Sequence, residues 1–503
     1  MSKPITFVFP DDKTTARCIE ESLPAYLKRQ RWYSHRETAG IPSIWDFCEL
    51  RSTAELCFGI LLVSEDGEQG SSFYNVPLAI RLQSHEGAQN ARLGNAVVCE
   101  LERGRQRLLA YDALLDSECT GILWNGLAEV KEQHFSRGVL RFSGSTTPPS
   151  GPIRALHAEQ TNSSLVNADR EVLKLIRHPL AGATLELTVL ESLAGVHFPH
   201  SMPVLGSLQY VPRHAKPLLL AIRQPYLHNA VEGWALALAS LRTVFAEVTL
   251  TDTPSPEPLT PDAEGMLYDG LFSSEARGIG IVTGKLHLAL SSPEVAGDLG
   301  CEPADGRHLM LWANQMRQDL ATVLQTLGLD GSALFDRKDE LEARFDQILG
   351  LSSGGLAIRI HGDYHLGQLL RNDQGWTIVD FGGEPARGND ERMELSSPLR
   401  DVAGMLRSFD YVAKVALREQ GSSDSPVDAR LKTAADRWRD DNRSAFWEGY
   451  LETTTGSRLL PDRSSAQLLR DSFELQKALY EVRYEHEHRP AWIDIPMEFL
   501  ASR

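Results

Sequence analysis

The sequence predicts an α+β fold in which a strand-rich part precedes a mainly helical part. Short apolar runs separated by turn residues recur between residues 44 and 226, which is typical of antiparallel strands. From residue 234 the apolar residues follow helical spacing, and only residues 356–382 interrupt that pattern. Because 503 residues exceed the size of one hydrophobic core, we expect more than one domain.

Composition excludes several classes of function. The chain has 51 Lys and Arg against 68 Asp and Glu, a net charge of −17. This acidic balance argues against nucleic acid and against an anionic membrane as partners. No apolar run is long enough to span a bilayer, and residues 1–18 lack the apolar core of a signal peptide, so we expect a cytoplasmic protein. Six scattered cysteines without a CxxC pair indicate reduced thiols, with one disulfide left open.

The apolar pattern predicts three domains: residues 1–130, 131–226 and 227–503. In the first, we expect a helix over 13–33, strands over 44–82 and helical structure over 95–130. The second is predicted to contain a strand at 138–142, a hairpin over 164–176, a helix at 185–193 and a strand at 218–222. The third is predicted to be mainly helical, with an exposed Pro-rich loop at 251–263.

A predicted hairpin at 369–379 carries the motifs that indicate chemistry. His361, Asp363 and Gln368 precede or enter it with the spacing H-x-D-x-x-x-x-Q, and Asp380 of an Asp-Phe-Gly triplet ends its return strand. Because a hairpin brings its entry and exit together, these groups are expected to converge. The pattern is typical of phosphoryl transfer, with Asp363 as base, Gln368 and Asp380 as Mg²⁺ ligands and His361 supporting the loop. Either motif alone would also suit ordinary loop residues, whereas both in order favour a kinase.

A kinase must also hold ATP. Lys174 lies inside a β pattern, where burial of its charge requires phosphates or a carboxylate nearby. Glu186 is the expected ion-pair partner, Glu191 competes with it, and a solvent-facing edge position for Lys174 is the alternative. The segment Gln160, Thr161, Asn162, Ser163 and Ser164 is predicted to cover the phosphates. Gln224 and Tyr226 are predicted to lie beside the adenine.

Two other patterns resemble binding motifs but lack the features that those motifs require. The stretch from Gly278 to Lys285 lacks the spacing of a phosphate-binding P-loop, and we interpret it as a helix start. His197 and His200 flank Phe198-Pro199 and are expected to be loop residues and not metal ligands.

Several segments resemble the actinobacterial maltokinases, relatives of the aminoglycoside phosphotransferases. They are IHGDYHLGQ (360–368), IVDFGGEPARG (378–388), SPLRDVAGMLRSFDYVA (397–413), AEQTNSSLV (158–166), FPHSMPVLGSLQY (198–210) and ELQKALYEVRYEHEHRPAWIDIP (474–496). LKRQRWY (27–33) resembles the start of that family's N-terminal cap domain. The resemblance implies a bilobal protein-kinase-like fold with an α/β cap over residues 1–130, a β-rich nucleotide lobe and a helical C-terminal lobe.

The resemblance also implies an activity. Maltokinases use ATP and Mg²⁺ to phosphorylate the anomeric hydroxyl of maltose, giving maltose 1-phosphate. This links trehalose-derived maltose to α-glucan and glycogen synthesis, and trehalose synthase is a possible partner. Two departures concern the sugar: Gly382 stands where the family usually has an acidic residue, and His488 stands where it has Asn.

In that family the sugar binds in the C-terminal lobe beside the catalytic loop. The predicted helix over 464–488 has a core stripe at Leu468, Leu475, Leu479 and Val482. Another face carries the candidate sugar contacts, unless it is a solvated polar face: Lys477, Tyr480, Glu481 and Tyr484. Second candidates lie on the preceding helix, at Arg407, Asp410 and Tyr411. Asp401 is expected to be structural, tying that helix to the catalytic loop.

Three alternatives to a maltose kinase remain at this level. The nearest is a glucosamine kinase of the maltokinase-like branch. A second is a non-catalytic kinase-like module that partners trehalose synthase. The third is an antibiotic phosphotransferase, for which an acidic cleft would be expected.

Overall fold

The computed structural model describes thirteen segments of the chain: residues 13–33, 40–67, 70–83, 93–103, 106–127, 130–144, 151–156, 162–182, 185–250, 272–328, 332–384, 389–421 and 426–502. The chain divides into two compact units. The first comprises Met1–Leu187 and Pro203–His228, and the second comprises Thr188–Met202 and Asn229–Arg503. The predicted α+β class is confirmed, while the division into three domains stays a prediction.

The first unit begins with a helix and a five-stranded antiparallel sheet. The elements are α1 (Lys13–Lys28), β1 (Ser43–Ser52), β2 (Leu56–Gly67), β3 (Gly70–Leu82), β4 (Val97–Arg103), β5 (Gln106–Asp112) and α2 (Ser117–Gly126). The strand order is β1-β2-β3-β5-β4. The strands predicted over 44–82 are therefore confirmed.

The prediction of helical structure over residues 95–130 was wrong for β4 and β5. Leu108 and Ala110 pack into one core with α1, whereas Leu109 and Tyr111 pack into a second core with α2. Because both faces of β5 are buried, its apolar residues are contiguous and do not alternate with polar ones. Such a run cannot be distinguished from a helical segment by periodicity alone.

A seven-stranded antiparallel sheet completes the first unit. Its strands are β6 (Lys131–His134), β7 (Gly138–Gly144), β8 (Ile153–Leu156), β9 (Ser163–Asn167), β10 (Glu171–Leu175), β11 (Gly206–Pro212) and β12 (Leu218–Pro225), in the order β6-β7-β11-β12-β10-β9-β8. The predicted hairpin is β9–β10, and its turn residues Ala168 and Asp169 have φ of 47° and 52°. Two successive positive φ angles suit a tight hairpin turn. The predicted helix follows as α3 (Leu185–Gly195).

The second unit is mainly helical. Its elements are β13 (Val231–Glu232), α4 (Gly233–Leu250), α5 (Ser273–Leu290), α6 (Pro293–Leu299), β14 (Cys301–Pro303), α7 (Gly306–Leu327), α8 (Ser332–Phe335), α9 (Lys338–Gln347), β15 (Leu356–Ile358), β16 (Leu369–Asn372), β17 (Gly375–Ile378), α10 (Asn389–Met393), α11 (Leu399–Glu419), α12 (Pro426–Thr454), α13 (Arg463–His488) and α14 (Asp494–Ser502). The predicted loop at 251–263 lies outside the described residues.

The glycine-rich stretch from Gly278 to Lys285 lies inside α5. It is helical, as predicted, although the helix begins earlier, at Ser273. A Cβ atom at Gly280 would lie 2.0 Å from the carbonyl oxygen of Phe446 in α12. The glycine therefore permits close packing of two helices, which is a structural use of the pattern.

All six cysteines are free thiols, as expected of a reduced protein. Within the described segments, no helix has the length and apolar character needed to cross a membrane.

Candidate active site

The catalytic hairpin predicted from the sequence is confirmed as β16–β17. Leu369 pairs with Ile378, and the N–H of Val379 donates to the carbonyl of Gln368 at 3.0 Å. This backbone bond places Asp380 one residue beyond the position paired with Gln368. The entry and exit of the hairpin therefore meet, as the sequence predicted.

Three residues around this junction have left-handed backbone conformations. The φ angles are 63° at Asp380, 86° at Gly362 and 74° at Gly383. A Cβ atom on Gly362 would lie 3.3 Å from the Cα of Gly383, so the two loops touch there. Glycine avoids the steric penalty of such angles, whereas Asp380 adopts one despite its side chain.

Asp401, in the first turn of α11, holds the backbone of the loop that carries His361 and Asp363. Its carboxylate accepts the N–H of His361 at 2.8 Å and that of Gly362 at 2.9 Å, and His287 Nε2 lies 3.1 Å away. Burial alone would raise the pKa of this 1% exposed carboxyl, but the hydrogen bonds and charge of His287 bring it below the usual value. The predicted structural role of Asp401 is confirmed.

His361 is buried and uses both ring nitrogens inside the loop. Its Nε2 donates to the carbonyl of Val379 at 2.9 Å, and its Nδ1 accepts the N–H of Asp363 at 3.3 Å. One nitrogen must carry the proton and the other must be bare, which defines a neutral tautomer. These contacts agree with the predicted supporting role of His361.

The predicted base, Asp363, lies beside α13. Its Oδ1 is 3.5 Å from Nζ of Lys477, which also forms an ion pair with Glu384. Burial by itself would lower the pKa of Lys477, but the two carboxylates raise it well above its usual value. One ammonium group is therefore shared between the candidate base and a second, buried acid.

Sequence reasoning missed Glu384 and His365. Glu384 lies in the GEP triplet after the Asp-Phe-Gly motif, so its position in a motif-bearing loop was an available signal. His365 accepts the N–H of Gly367 through Nδ1 at 3.0 Å, and its Nε2 lies 3.9 Å from Asp363. Burial lowers the pKa of His365, which favours its neutral form. Its remaining N–H therefore faces the candidate base.

The helix predicted over 464–488 is α13, and an aromatic row runs along one of its faces. Nζ of Lys477 lies 4.5 Å from the ring centroid of Tyr480. The rings of Tyr480 and Tyr484 are nearly parallel with centroids 6.3 Å apart, and His488 stacks on Tyr484 at 4.5 Å. Of the predicted core stripe, Leu475, Leu479 and Val482 are buried and Leu468 is half-buried.

Glu481, a candidate sugar contact, lies against the neighbouring helix α11 and not on a solvated face. Glu481 is 8% exposed and accepts two bonds, at 2.9 and 2.7 Å, from Arg407, which is itself 1% exposed. Arg407 also pairs with Asp410 at 2.6 Å, and the hydroxyl of Tyr411 donates to Glu485 at 3.1 Å. These groups are occupied between helices, because a buried guanidinium requires acidic partners. Their proposed contacts with sugar stay predictions.

In the first unit, Nζ of Lys174 lies 2.9 and 3.1 Å from the two carboxylate oxygens of Glu186. The predicted ion pair is confirmed, with Glu186 as the partner. Ser164 is opposite Lys174 in the β9–β10 ladder, Gln224 is opposite Val172, and the N–H of Tyr226 donates to the carbonyl of Arg170 at 2.7 Å.

The phosphate-covering segment is described only in part. Gln160 and Thr161 lie outside the described residues, Asn162 and Ser163 are half-buried and Ser164 is buried. The nucleotide-binding roles of all these residues stay predictions. Of the two loop histidines, His197 has φ of 54° and His200 contacts the carbonyl of Trp376 through Nδ1 at 3.0 Å, as expected of loop residues.

Gln368 and Asp380, the residues predicted to hold Mg²⁺, stand at the entry and the exit of the hairpin. In the described part of the chain, no three His, Cys, Asp or Glu side chains converge in a way that could hold a metal ion. Kinase Mg²⁺ is usually held by one or two protein oxygens together with phosphates and water. An amide oxygen of Gln368 and a carboxylate of Asp380 fit that requirement, since the nucleotide would complete the ligand shell.

Comparison with known proteins gives two kinds of similarity. Residues 26–116 match the family described as the maltokinase N-terminal cap domain. Glucosamine kinase from Streptacidiphilus jiangxiensis is 28% identical over 364 residues, which cover 71% of this chain and 74% of the relative. Glucosamine kinase from Mycolicibacterium smegmatis is 27% identical over 370 residues, which cover 72% and 82%.

A solved structure has a similar fold over nearly the whole chain. It is glucosamine kinase in complex with glucosamine, ADP and inorganic phosphate, with 20% identity and a TM-score of 0.62. The alignment covers 97% of this chain and 98% of that chain. The protein is therefore similar to the maltokinase N-terminal cap domain over residues 26–116 and shares its fold with a glucosamine kinase.

Proposed function

We propose that the protein is an ATP- and Mg²⁺-dependent kinase that phosphorylates the anomeric hydroxyl of maltose to give maltose 1-phosphate. The observation that carries the proposal is the ordered catalytic loop, in which Asp363 lies between the Asp401-anchored backbone and Lys477. Relatives and a structural neighbour that are named kinases support the phosphotransfer class.

Asp363 would accept the proton of the attacking sugar hydroxyl. Its backbone N–H is held by His361, and its carboxylate contacts Lys477, so the base is oriented before substrate arrives. Preorganisation of this kind lowers the entropic part of the barrier. Mg²⁺ on Gln368 and Asp380 would neutralise charge on the phosphates during transfer.

The occupied carboxylates beside Asp363 are the reason to expect a neutral sugar in place of an amino sugar. Lys477 already pairs with Asp363 and Glu384, so a second ammonium group would meet a like charge there. The ring row of Tyr480 and Tyr484 offers a flat surface on which the apolar face of a sugar can stack. Both features suit maltose, and the matched cap domain points in the same direction.

Glucosamine is the second candidate substrate, since two relatives carry that activity in their names. The two substrates make different demands on the site. An ammonium group on the sugar would need a carboxylate that Lys477 does not already hold. The glucosamine alternative therefore predicts that the Lys477 contacts rearrange on substrate binding.

A substrate panel tests the proposal. The purified chain is given ATP and Mg²⁺ with maltose, glucosamine, glucose or an aminoglycoside, and ADP formation is measured. We expect maltose to have the highest kcat/KM and ³¹P NMR to place the new phosphate on the anomeric carbon. If kcat/KM is higher for glucosamine than for maltose, the maltose proposal is wrong and glucosamine is the substrate.

The same panel tests the non-catalytic alternative. If no sugar stimulates ADP formation although the chain binds nucleotide, the kinase proposal fails. Co-purification with trehalose synthase would then support a partner-binding module. We expect the opposite result, because Lys174, Asp363, Gln368 and Asp380 are all present in the sequence.

A further inference from the structure

Arg177 lies two residues beyond β10 and is 3% exposed. Its guanidinium forms an ion pair with Asp112 at 2.7 Å, donates through Nε to the hydroxyl of Ser163 at 2.8 Å and donates to the carbonyl of Asn75 at 3.2 Å. A buried guanidinium bonded on several sides is held in one position, because moving it would break several charge-assisted bonds.

One side of this contact set belongs to the matched cap domain. Asp112 also accepts the hydroxyl of Tyr26 at 2.8 Å, and the N–H of Asn75 donates to the carbonyl of Arg177 at 2.9 Å. The Trp32 ring lies 5.0 Å from the guanidinium carbon of Arg177. Three residues within 26–116 therefore contact Arg177, and Tyr26 holds one of them, Asp112.

The other side leads to the predicted phosphate-binding elements. Ser163 is the first residue of β9 and belongs to the segment expected to cover the phosphates. Lys174 precedes Arg177 by three residues and lies opposite Ser164 in the ladder. Arg177 thus connects the cap to the start of β9 by a side-chain bond and to Lys174 through the backbone of β10.

We infer that Arg177 is a positioning residue through which the cap domain fixes the strand ends that bind the nucleotide phosphates. This inference rests on the proposed nucleotide use. The cap would then act on nucleotide affinity without contacting the nucleotide. A purely structural role would instead lower stability and leave nucleotide affinity unchanged.

Asp112→Asn tests this from the cap side, since Asp112 is separated from the predicted phosphate segment by the ion pair. Affinity for ADP with Mg²⁺ is measured by calorimetry on the full chain, beside KM for ATP and for the sugar. We expect nucleotide affinity to fall about 3- to 10-fold, less than the full effect of one charge-assisted bond, because Asp112 acts on the nucleotide only through Arg177. The sugar KM stays within about twofold, since the sugar candidates lie on other elements.

Tyr111→Phe is the matched control. Tyr111 is the preceding residue of β5, and its hydroxyl donates to Asp116 at 2.5 Å inside the cap, away from Arg177. The Tyr111→Phe variant removes this part-buried bond and the one that the hydroxyl accepts from Arg81 at 3.2 Å, so thermal stability falls while nucleotide affinity stays at the wild-type value. Equal effects of both variants on affinity would overturn the inference.

If Asp112→Asn does not fold, Arg177→Lys is the second test. Lysine keeps the positive charge but lacks the planar guanidinium that bonds Asp112 and Ser163 at the same time. Wild-type affinity in a folded Arg177→Lys variant would overturn the inference. Calorimetry needs no sugar turnover. A wild type that binds ADP but phosphorylates no sugar therefore contradicts the proposed function alone, whereas a wild type that binds no nucleotide contradicts both.

Discussion

The ammonium group of Lys477 lies 3.5 Å from the carboxylate of Asp363, although 114 residues separate them in the chain. The same ammonium pairs with buried Glu384, so α13 is tied to both loops that flank the catalytic hairpin. The Lys477 ammonium group therefore connects the candidate base to the helix on which the candidate sugar contacts lie.

Lys477→Met should reverse the preference between neutral and cationic sugars. Without the ammonium group, Glu384 and Asp363 attract the ammonium of glucosamine, so the kcat/KM ratio of glucosamine to maltose rises about tenfold, or about 1.4 kcal/mol. Stability should fall by about 3 kcal/mol because a buried acid loses its partner. Lys414→Met, which removes an exposed pair with Glu498, should leave the ratio unchanged. A ratio that does not move would contradict this role for Lys477.

Asp363→Asn should remove activity while preserving the fold. An amide cannot accept the hydroxyl proton, so kcat should fall by about 10²- to 10⁴-fold. The thermal melting temperature and ADP affinity serve as controls, and both should stay near wild-type values. Retention of more than about a tenth of wild-type kcat would mean that another group is the base.

The bonds of Asp401 predict a specific pH dependence of stability. Its pKa in the folded state lies below the value of about 3.9 expected in the unfolded chain. Its contribution is therefore complete above about pH 4 and is lost as pH falls through the folded-state pKa. The difference in unfolding free energy between wild type and Asp401→Asn, measured by urea titration, should shrink below about pH 4. A difference that persists unchanged at about pH 2 would contradict the assignment.

Arg407→Met separates a structural role from a sugar contact. Loss of the guanidinium leaves buried Glu481 without the cation that bonds it, whereas Asp410 keeps Arg443 at 3.3 Å, so stability should fall by about 3–5 kcal/mol. In the surviving folded protein, the sugar KM should change less than about twofold. Arg242→Met removes an exposed pair with Glu419 and should cost less than about 1 kcal/mol. A large rise in sugar KM without loss of stability would instead show that Arg407 contacts the sugar.

Glu186→Gln and Glu191→Gln form a pair of variants on one helix. Glu186 bonds Lys174 through both carboxylate oxygens, so Glu186→Gln should weaken the positioning of that lysine and lower kcat/KM for ATP about 10- to 100-fold. Glu191 is exposed, and its variant should behave as wild type. Steady-state kinetics at saturating sugar measures both, and similar losses in the two variants would exclude a special role for the ion pair.

Much of the catalytic region could be predicted because its signals are local. Turn residues and alternating apolar runs indicated β9–β10 and β16–β17, and the spacing of His361, Asp363 and Asp380 identified the loop between them. The same approach failed for β5, where burial on both faces removed the alternation. Helical spacing also did not indicate that Arg407 of the neighbouring helix bonds Glu481.

By itself, the sequence determined the α+β class, the hairpin at 369–379 and the candidate base, and it left Glu186 and Glu191 as competing partners of Lys174. These depend on turn chemistry, periodicity and spacing over short stretches, which the order of residues fixes directly. Only the tertiary structure decided that Lys477 forms ion pairs with Asp363 and Glu384 and that Glu481 pairs with Arg407. It also decided that Arg177 bonds both the cap and the start of β9. Buried charges require partners, but helix and sheet packing determines which distant acid supplies each one.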